Sequence, residues 1–228
     1  MKMAIRIAII DSGIHEGHPH VGRVAGSVHA TATGWGDDPV DRLGHGTAVA
    51  AAIREKMPRA DLFAVKVFDR RLSANIEAVL RGLRWCRDEG MDFVNLSLGT
   101  TNPDHRARFM EAIAGDMVVI SAAPMLPGSL QGVIGVDSDE SCPRDAFRYE
   151  DGVFYASPYP RPIPGVPRSR NLQGISFAVA NMTGLAAQVR EAAPRKDIWS
   201  ALLDRATYLP EASSEPVRSE YSATSGEA

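Results

Sequence analysis

Only two cysteines, Cys86 and Cys142, stand in the 228 residues, too few for a disulfide framework. No secretory signal is legible either. Met1-Lys2-Met3 leads straight into the apolar stretch Ala4 to Ile10, which is short for a signal core and has no cleavage site. Both thiols are therefore expected in the reduced state. No apolar run approaches the length that spans a bilayer. The chain also lacks an excess of either charge, with 25 Lys and Arg against 28 Asp and Glu and a formal net charge of -3. That balance speaks against a broad electrostatic nucleic-acid binder and against a polybasic membrane anchor. A cytoplasmic location without a nucleic-acid or membrane partner is the expectation. Because the first strand begins almost at Met1, no room for a prodomain is expected.

What is present suits a folded domain. A hydrophobic fraction of 44% with 23% charged residues is ordinary for a chain that buries a sizeable core. Short apolar runs at Ile5–Ile10, Leu62–Phe68, Phe93–Leu98 and Met117–Ala122 are nearly continuous rather than alternating, the pattern of parallel strands covered on both faces. Helical periodicity separates them. In Ser73 to Arg87 the apolar residues Ile76, Val79, Leu80, Leu83 and Cys86 form one stripe, with Ser73 as the expected N-cap and Gly90 just past the end. Thr47–Lys56 and Ser176–Glu191 read as two more helices, each followed by proline. The expected fold is α/β, a mostly parallel central sheet with helices on both faces, in one compact domain over residues 1–210. The Pro-rich stretch 138–171 is expected as loop with a strand piece at Val153-Phe154-Tyr155, and 211–228 as a disordered tail.

Three polar segments fall where strands give way to loops or helices. Asp11 ends the run Ile9-Ile10-Asp11-Ser12-Gly13. His45 lies in Gly44-His45-Gly46-Thr47 at the start of a helix. Ser176 opens another helix in Gly174-Ile175-Ser176-Phe177-Ala178. Ligands of parallel sheets gather at the carboxyl edge, so the three can converge there. A serine hydroxyl needs a base to become a nucleophile, a neutral imidazole can be that base, and a buried carboxylate fixes its tautomer. Each segment alone is an ordinary turn or cap. Their order and context together are what make the constellation specific.

With these motifs the chain from Ile5 to about Val189 resembles the subtilisin-like serine proteases, or subtilases, whose triad runs Asp, His, Ser along the sequence. Leu62-Phe63-Ala64-Val65-Lys66-Val67 and Val94-Asn95-Leu96-Ser97-Leu98-Gly99 match as well. The resemblance implies that Asp11 orients His45, that His45 is general base and then acid, and that Ser176 attacks the scissile carbonyl. It implies further that Ser97-Leu98-Gly99 pairs with an extended peptide substrate, and that the backbone N–H of Ser176 serves the oxyanion.

Departures from the family pattern are equally informative. Met125 falls where the family carries an asparagine that donates to the oxyanion, and a thioether has no proton to donate. Ile175 replaces a common threonine. The segment Ala123–Gly128 reads as a shortened wall of the pocket for the residue before the cut, so recognition is expected over a wider surface or through a partner protein that presents the substrate. His20 stands where secreted relatives often hold calcium with an aspartate, so that site is expected to be lost. His15, His18 and His20 occupy a tight Gly/Pro loop without a strong fourth ligand, so a solvated loop is expected there and no metal or other cofactor. The expectation is a slow serine endopeptidase of narrow range that matures one protein or peptide, with a weak or inactive peptide-binding or chaperone module of the same fold as the alternative. An α/β hydrolase acting on small esters fits poorly, because Ala178 stands where its nucleophile turn needs a glycine.

Overall fold

The computed structural model describes residues 4–206; the expected tail at 211–228 lies outside the described residues. Strand β1 (Arg6–Asp11) shows why the apolar runs are continuous. Successive side chains of a strand point to opposite faces. Ile7 and Ile9 enter one core, Ala8 and Ile10 the other, and all four are fully buried. Both faces of the sheet are therefore covered.

Around β1 the described chain builds β2 (Gly26–Ala30), β3 (Trp35–Gly36), β4 (Asp61–Lys66), β5 (Phe93–Leu96), β6 (Val118–Ala122), β7 (Ile134–Ser138), β8 (Phe147–Glu150) and β9 (Val153–Ala156). They form one sheet in the order β3-β2-β4-β1-β5-β6-β7-β9-β8. Pairing is parallel throughout except for the two edge strands β3 and β8, which run antiparallel to their neighbours. The expected mostly parallel sheet is present. The stretch expected as loop also holds a short hairpin: Val153–Ala156 pairs with Phe147–Glu150 and extends the sheet by two strands.

Helices α1 (His45–Lys56), α4 (Ile175–Ala192) and α5 (Ile198–Arg205) cover one face, where Val49, Ile53, Val179, Met182 and Leu202 meet Ile7 and Ile9. Helices α2 (Ile76–Asp88) and α3 (Arg106–Ala112) cover the other. The stripe Val79, Leu80, Leu83 and Cys86 faces the sheet as its periodicity requires. Each such side chain taken fully out of water contributes about 1.5–3 kcal/mol. The start of α2 differs from expectation. Asn75, not Ser73, is the N-cap, its side chain accepting from the Glu77 N–H at 2.9 Å.

The chain leaves β1, travels through β2, β3 and α1, and returns as β4 on one side of it; it then crosses through α2 to β5 on the other side. Strand order thus reverses at β1, and the crevice of an open parallel sheet forms beyond the carboxyl end of that strand. Asp11 is the last residue of β1.

Candidate active site

Asp11 is fully buried, and its carboxylate takes the Ser12 N–H at 2.7 Å and faces the imidazole of His45. His45 Nδ1 lies 2.8 Å from one Asp11 oxygen and 3.0 Å from the other. This pair fixes the proton on Nδ1 and leaves the Nε2 lone pair directed away from Asp11. Gly46 is what lets the helix come so close. A Cβ there would collide with the Gly13 carbonyl and sit 3.2 Å from Asp11 Oδ1. The glycine after His45 thus admits the turn that follows β1. Gly44, at φ 72°, sits in the left-handed region that turns the chain into α1.

Burial opposes a charge on His45, yet the hydrogen bond from Nδ1 to Asp11, the Asp11 charge and the nearby Asp41 outweigh it and hold its pKa above the usual imidazole value. Asp41 is the residue that sequence reasoning missed. Its Oδ1 accepts from Ser12 Oγ at 2.8 Å and from the N–H groups of Leu43 and Gly44 at 3.0 and 2.8 Å. Its Oδ2 accepts from the Thr47 N–H at 3.0 Å and from Thr47 Oγ1 at 2.5 Å. One carboxylate thereby satisfies the first turn of α1 and pins the strap that carries His45. Desolvation works against its charge, but these donors prevail and keep its pKa below the ordinary value. The available signal was an aspartate six residues before Thr47, where a helix start still needed an acceptor.

Ser176 is the second residue of α4, after Gly174 at φ 141°. Its backbone N–H makes no hydrogen bond among the described residues, as a first-turn donor can. Its hydroxyl donates to the Ser97 carbonyl at 3.4 Å, while Ser97 Oγ donates to the Ser176 carbonyl at 3.2 Å. Behind them Asn95 Nδ2 donates to Ser97 Oγ at 2.9 Å and Thr183 Oγ1 to Asn95 Oδ1 at 3.0 Å. This polar chain ties α4 to the end of β5. Among the described residues no hydrogen bond joins Ser176 to His45. The two elements meet through the next residue, the Phe177 ring centroid lying 5.6 Å from that of His45. Asp11 and His45 are thus coupled directly, while Ser176, one residue before Phe177, has its hydroxyl turned to Ser97.

Ser97, Leu98 and Gly99 follow β5 as partly exposed residues outside the sheet. Just beyond them Thr100 and Leu126 exchange both backbone hydrogen bonds, at 2.9 and 3.0 Å. Met125 packs on Gly99 so tightly that a Cβ on that glycine would lie 2.6 Å from the Met125 Cβ. The segment after β6 therefore closes onto the strand it faces, and Met125 offers no donor there.

The two cysteines, the exposed arginines and the histidine loop stand apart from the Asp11–His45 pair. Cys86 is fully buried, which raises its thiol pKa. Burial likewise pushes Cys142 up to about 11. Neither is a reactive thiolate at neutral pH. Arg70 and Arg71 are exposed. Arg168, in the short 3-10 turn Arg168–Arg170, lies over the Tyr159 ring at 3.3 Å. The rings of His15, His18 and His20 lie edge to face, at 6.4 and 5.5 Å, and among the described residues no group of three His, Cys, Asp or Glu side chains is placed to hold a metal ion.

Residues 2–124 match the family model described as Peptidase S8, Subtilase family. The chain belongs to the subtilase family. A thermostable alkaline protease of Halalkalibacterium halodurans is 30% identical over 236 residues, a match that takes in 90% of this chain and 62% of that protein. The chain thus spans less than two thirds of that relative's length. A cold adapted subtilisin-like serine proteinase superposes with a TM-score of 0.66 at 18% identity, covering 87% of this chain and 79% of that one. The nisin leader peptidase NisP from Lactococcus lactis superposes with a TM-score of 0.64 at 19% identity, covering 86% of this chain and 80% of that one. The subtilisin-like α/β fold expected from the motifs is the fold observed.

Proposed function

We propose that this subtilase is a serine endopeptidase that cleaves a peptide bond through an acyl-enzyme on Ser176, with His45 as base and then acid and Asp11 as its orienting carboxylate. The observation that carries the reading is the Asp11–His45 pair at 2.8 Å, with Ser176 opening α4 one residue before the Phe177 ring that meets His45. In this reading the Ser176 hydroxyl swings from the Ser97 carbonyl toward His45 Nε2, a rotation about one side-chain bond. The proton passes to His45, the oxygen attacks the carbonyl, and the imidazolium returns the proton to the departing amine. The Ser176 N–H then faces the oxyanion, with no help from Met125. A slow rate follows.

Substrate maturation is the finer part of the proposal. Met125 and Leu126 pack onto Gly99 and Thr100 beside a cavity of about 370 Å³, and a wall set this close to Gly99 suits recognition of one precursor over general digestion. The structural likeness to a leader peptidase supports removal of a leader segment. A cytoplasmic setting and compactness like that of the small subtilase of quinohemoprotein amine dehydrogenase biogenesis belong to the same proposal, with a substrate that a partner protein presents.

Labelling by a fluorophosphonate probe tests the catalytic part. The wild-type chain is expected to be labelled and the Ser176→Ala variant not. The second reading, a peptide-binding module of subtilase fold, is favoured by the missing donor at Met125 and by the bond of Ser176 to Ser97. It predicts no labelling while peptide binding persists.

A further inference from the structure

The imidazole that takes the Ser176 proton must hand it to the departing amine, so the chain that leaves lies on the His45 side of the cut. A cavity of about 570 Å³ lies beside the His45 segment, lined by Gly44 and Thr47, which flank that residue in the sequence. Its size falls within the range of pockets that enclose a whole side chain and more. Ala48 and Ala51, one helical turn apart on α1, keep its floor low, and the exposed Ile163 and Leu172 form an apolar lip.

Three separate segments wall this cavity, and hydrogen bonds tie them together. The His15 N–H donates to Thr47 Oγ1 at 2.9 Å, Arg161 donates to the His20 carbonyl at 3.1 Å, and Asn171 Nδ2 donates to the Arg161 carbonyl at 3.3 Å. The cavity is thus formed before any ligand arrives. Its charge is one-sided. Among the described residues Arg161 makes no direct ion pair, although its charge is felt by Glu55, outside the lining, whereas the one carboxylate in the lining, Asp41, is held by Ser12, Gly44 and Thr47.

We infer that this cavity is a specificity site for the peptide segment that departs, taking a large apolar side chain followed by an acidic residue that pairs with Arg161. The inference rests on the protease reading for its direction along the substrate, and it moves selectivity from the Met125 side to the leaving side at His45.

The dipeptide amides Phe-Glu-amide, Phe-Lys-amide and Gly-Glu-amide serve as probes of the unmodified chain. Imidazole proton resonances of His15, His18 and His20 report binding by NMR without any turnover. Phe-Glu-amide is expected to shift them at a concentration at least about tenfold lower than either other probe. Arg161→Glu is expected to reverse the preference between Glu and Lys, and Ala51→Phe to abolish the response to Phe. Because Ala51→Phe sits in the core, Leu172→Asp at the exposed lip serves as a second variant and should weaken Phe-Glu-amide several-fold. Equal responses to the three probes, or a Glu preference that survives Arg161→Glu, overturn the inference. A chain that shows the expected shifts but resists the fluorophosphonate keeps the site and loses the protease reading. A chain that is labelled but shows no shifts does the reverse.

Discussion

Lys56 Nζ lies 2.6 Å from Asn181 Oδ1 and joins the last turn of α1 to the middle of α4. Asn181 spends its amide protons on the carbonyls of Ser157 and Tyr159, at 2.8 and 2.9 Å. The Lys56 carbonyl in turn accepts from Gln188 Nε2 at 2.7 Å. Since α1 starts at His45 and α4 begins one residue before Ser176, this buried clamp holds the two helices whose first turns bear the proposed catalytic groups.

Asn181→Leu should therefore be costly. It removes the shortest contact of a buried ammonium, which keeps only the Ala52 carbonyl and the Glu55 carboxylate at 3.5 and 3.6 Å, and it strands two carbonyls; one hydrogen bond to a charged group is worth about 1.5–3 kcal/mol. Urea unfolding followed by circular dichroism is expected to show a loss of about 3 kcal/mol, against a fraction of that for an exposed change such as Leu172→Ala. A loss below about 1 kcal/mol would mean that water replaces the clamp.

Lys56 makes the same clamp sensitive to pH. Burial, with the Arg144 charge adding to it, lowers its pKa from 10.5 to about 8 despite the opposing pull of Glu55. Below about pH 8 both folded and unfolded chains carry the proton, and the folded state bears the cost of the buried charge. Between about 8 and 10.5 the unfolded chain binds more protons, so the Lys56 contribution moves in favour of folding as pH rises. Lys56→Met removes that dependence. The stability difference between wild type and Lys56→Met is expected to shift toward wild type by roughly 3 kcal/mol across this window, read from paired urea titrations. A difference that stays flat with pH would show that the ammonium is solvated.

The Asp11–His45 pair predicts a second pH dependence, in reactivity and not in stability. In the proposed mechanism reaction of Ser176 needs neutral imidazole, and the pKa of His45 is raised, its carboxylate partner outweighing burial. Fluorophosphonate labelling is expected to fall as pH drops, with a midpoint above the usual imidazole value of about 6.5. Asp11→Asn removes the charge that raises it and the acceptor that selects the Nδ1–H tautomer. The midpoint should move down, and the rate at pH 8 should drop on the order of 10⁴-fold. An unchanged midpoint in Asp11→Asn would detach His45 from the chemistry.

How much of this was legible depended on what carried the signal. Asp11, His45 and Ser176 stood in short motifs bounded by glycine, and the strands that position them were continuous apolar runs because two cores sandwich the sheet. Strands β2 and β3 were invisible. Gly26-Ser27-Val28-His29-Ala30 lies toward the sheet edge with half-exposed residues, and its extended form comes from pairing with β4, a non-local cause. The pair β8 and β9 was half hidden for the same reason, since prolines on both sides signal loop while the pairing of Val136 with Phe154 extends the sheet. Asp41 left the weakest mark of all. An aspartate in a Gly/Asp/Pro-rich stretch looks like a solvated turn, and only the fold brings Ser12, from another strand's end, onto its carboxylate.

Met125 yields the prediction most specific to this chain. A thioether occupies the position expected to support the oxyanion, on a segment that Thr100 and Leu126 hold in place through two backbone hydrogen bonds. Asparagine is shorter than methionine, so Met125→Asn keeps the Cβ packed on Gly99, removes the terminal methyl that also approaches it and adds an amide donor. One such donor is worth about 10²–10³ in the acylation step when it points at the developing charge. The expected result is a rise of about 100-fold in acylation rate by an activated ester, with little change in Asp11→Asn backgrounds, where the base is already disabled. A rate that does not rise would place the charge outside the reach of residue 125 and make the Ser176 N–H the principal protein donor to it.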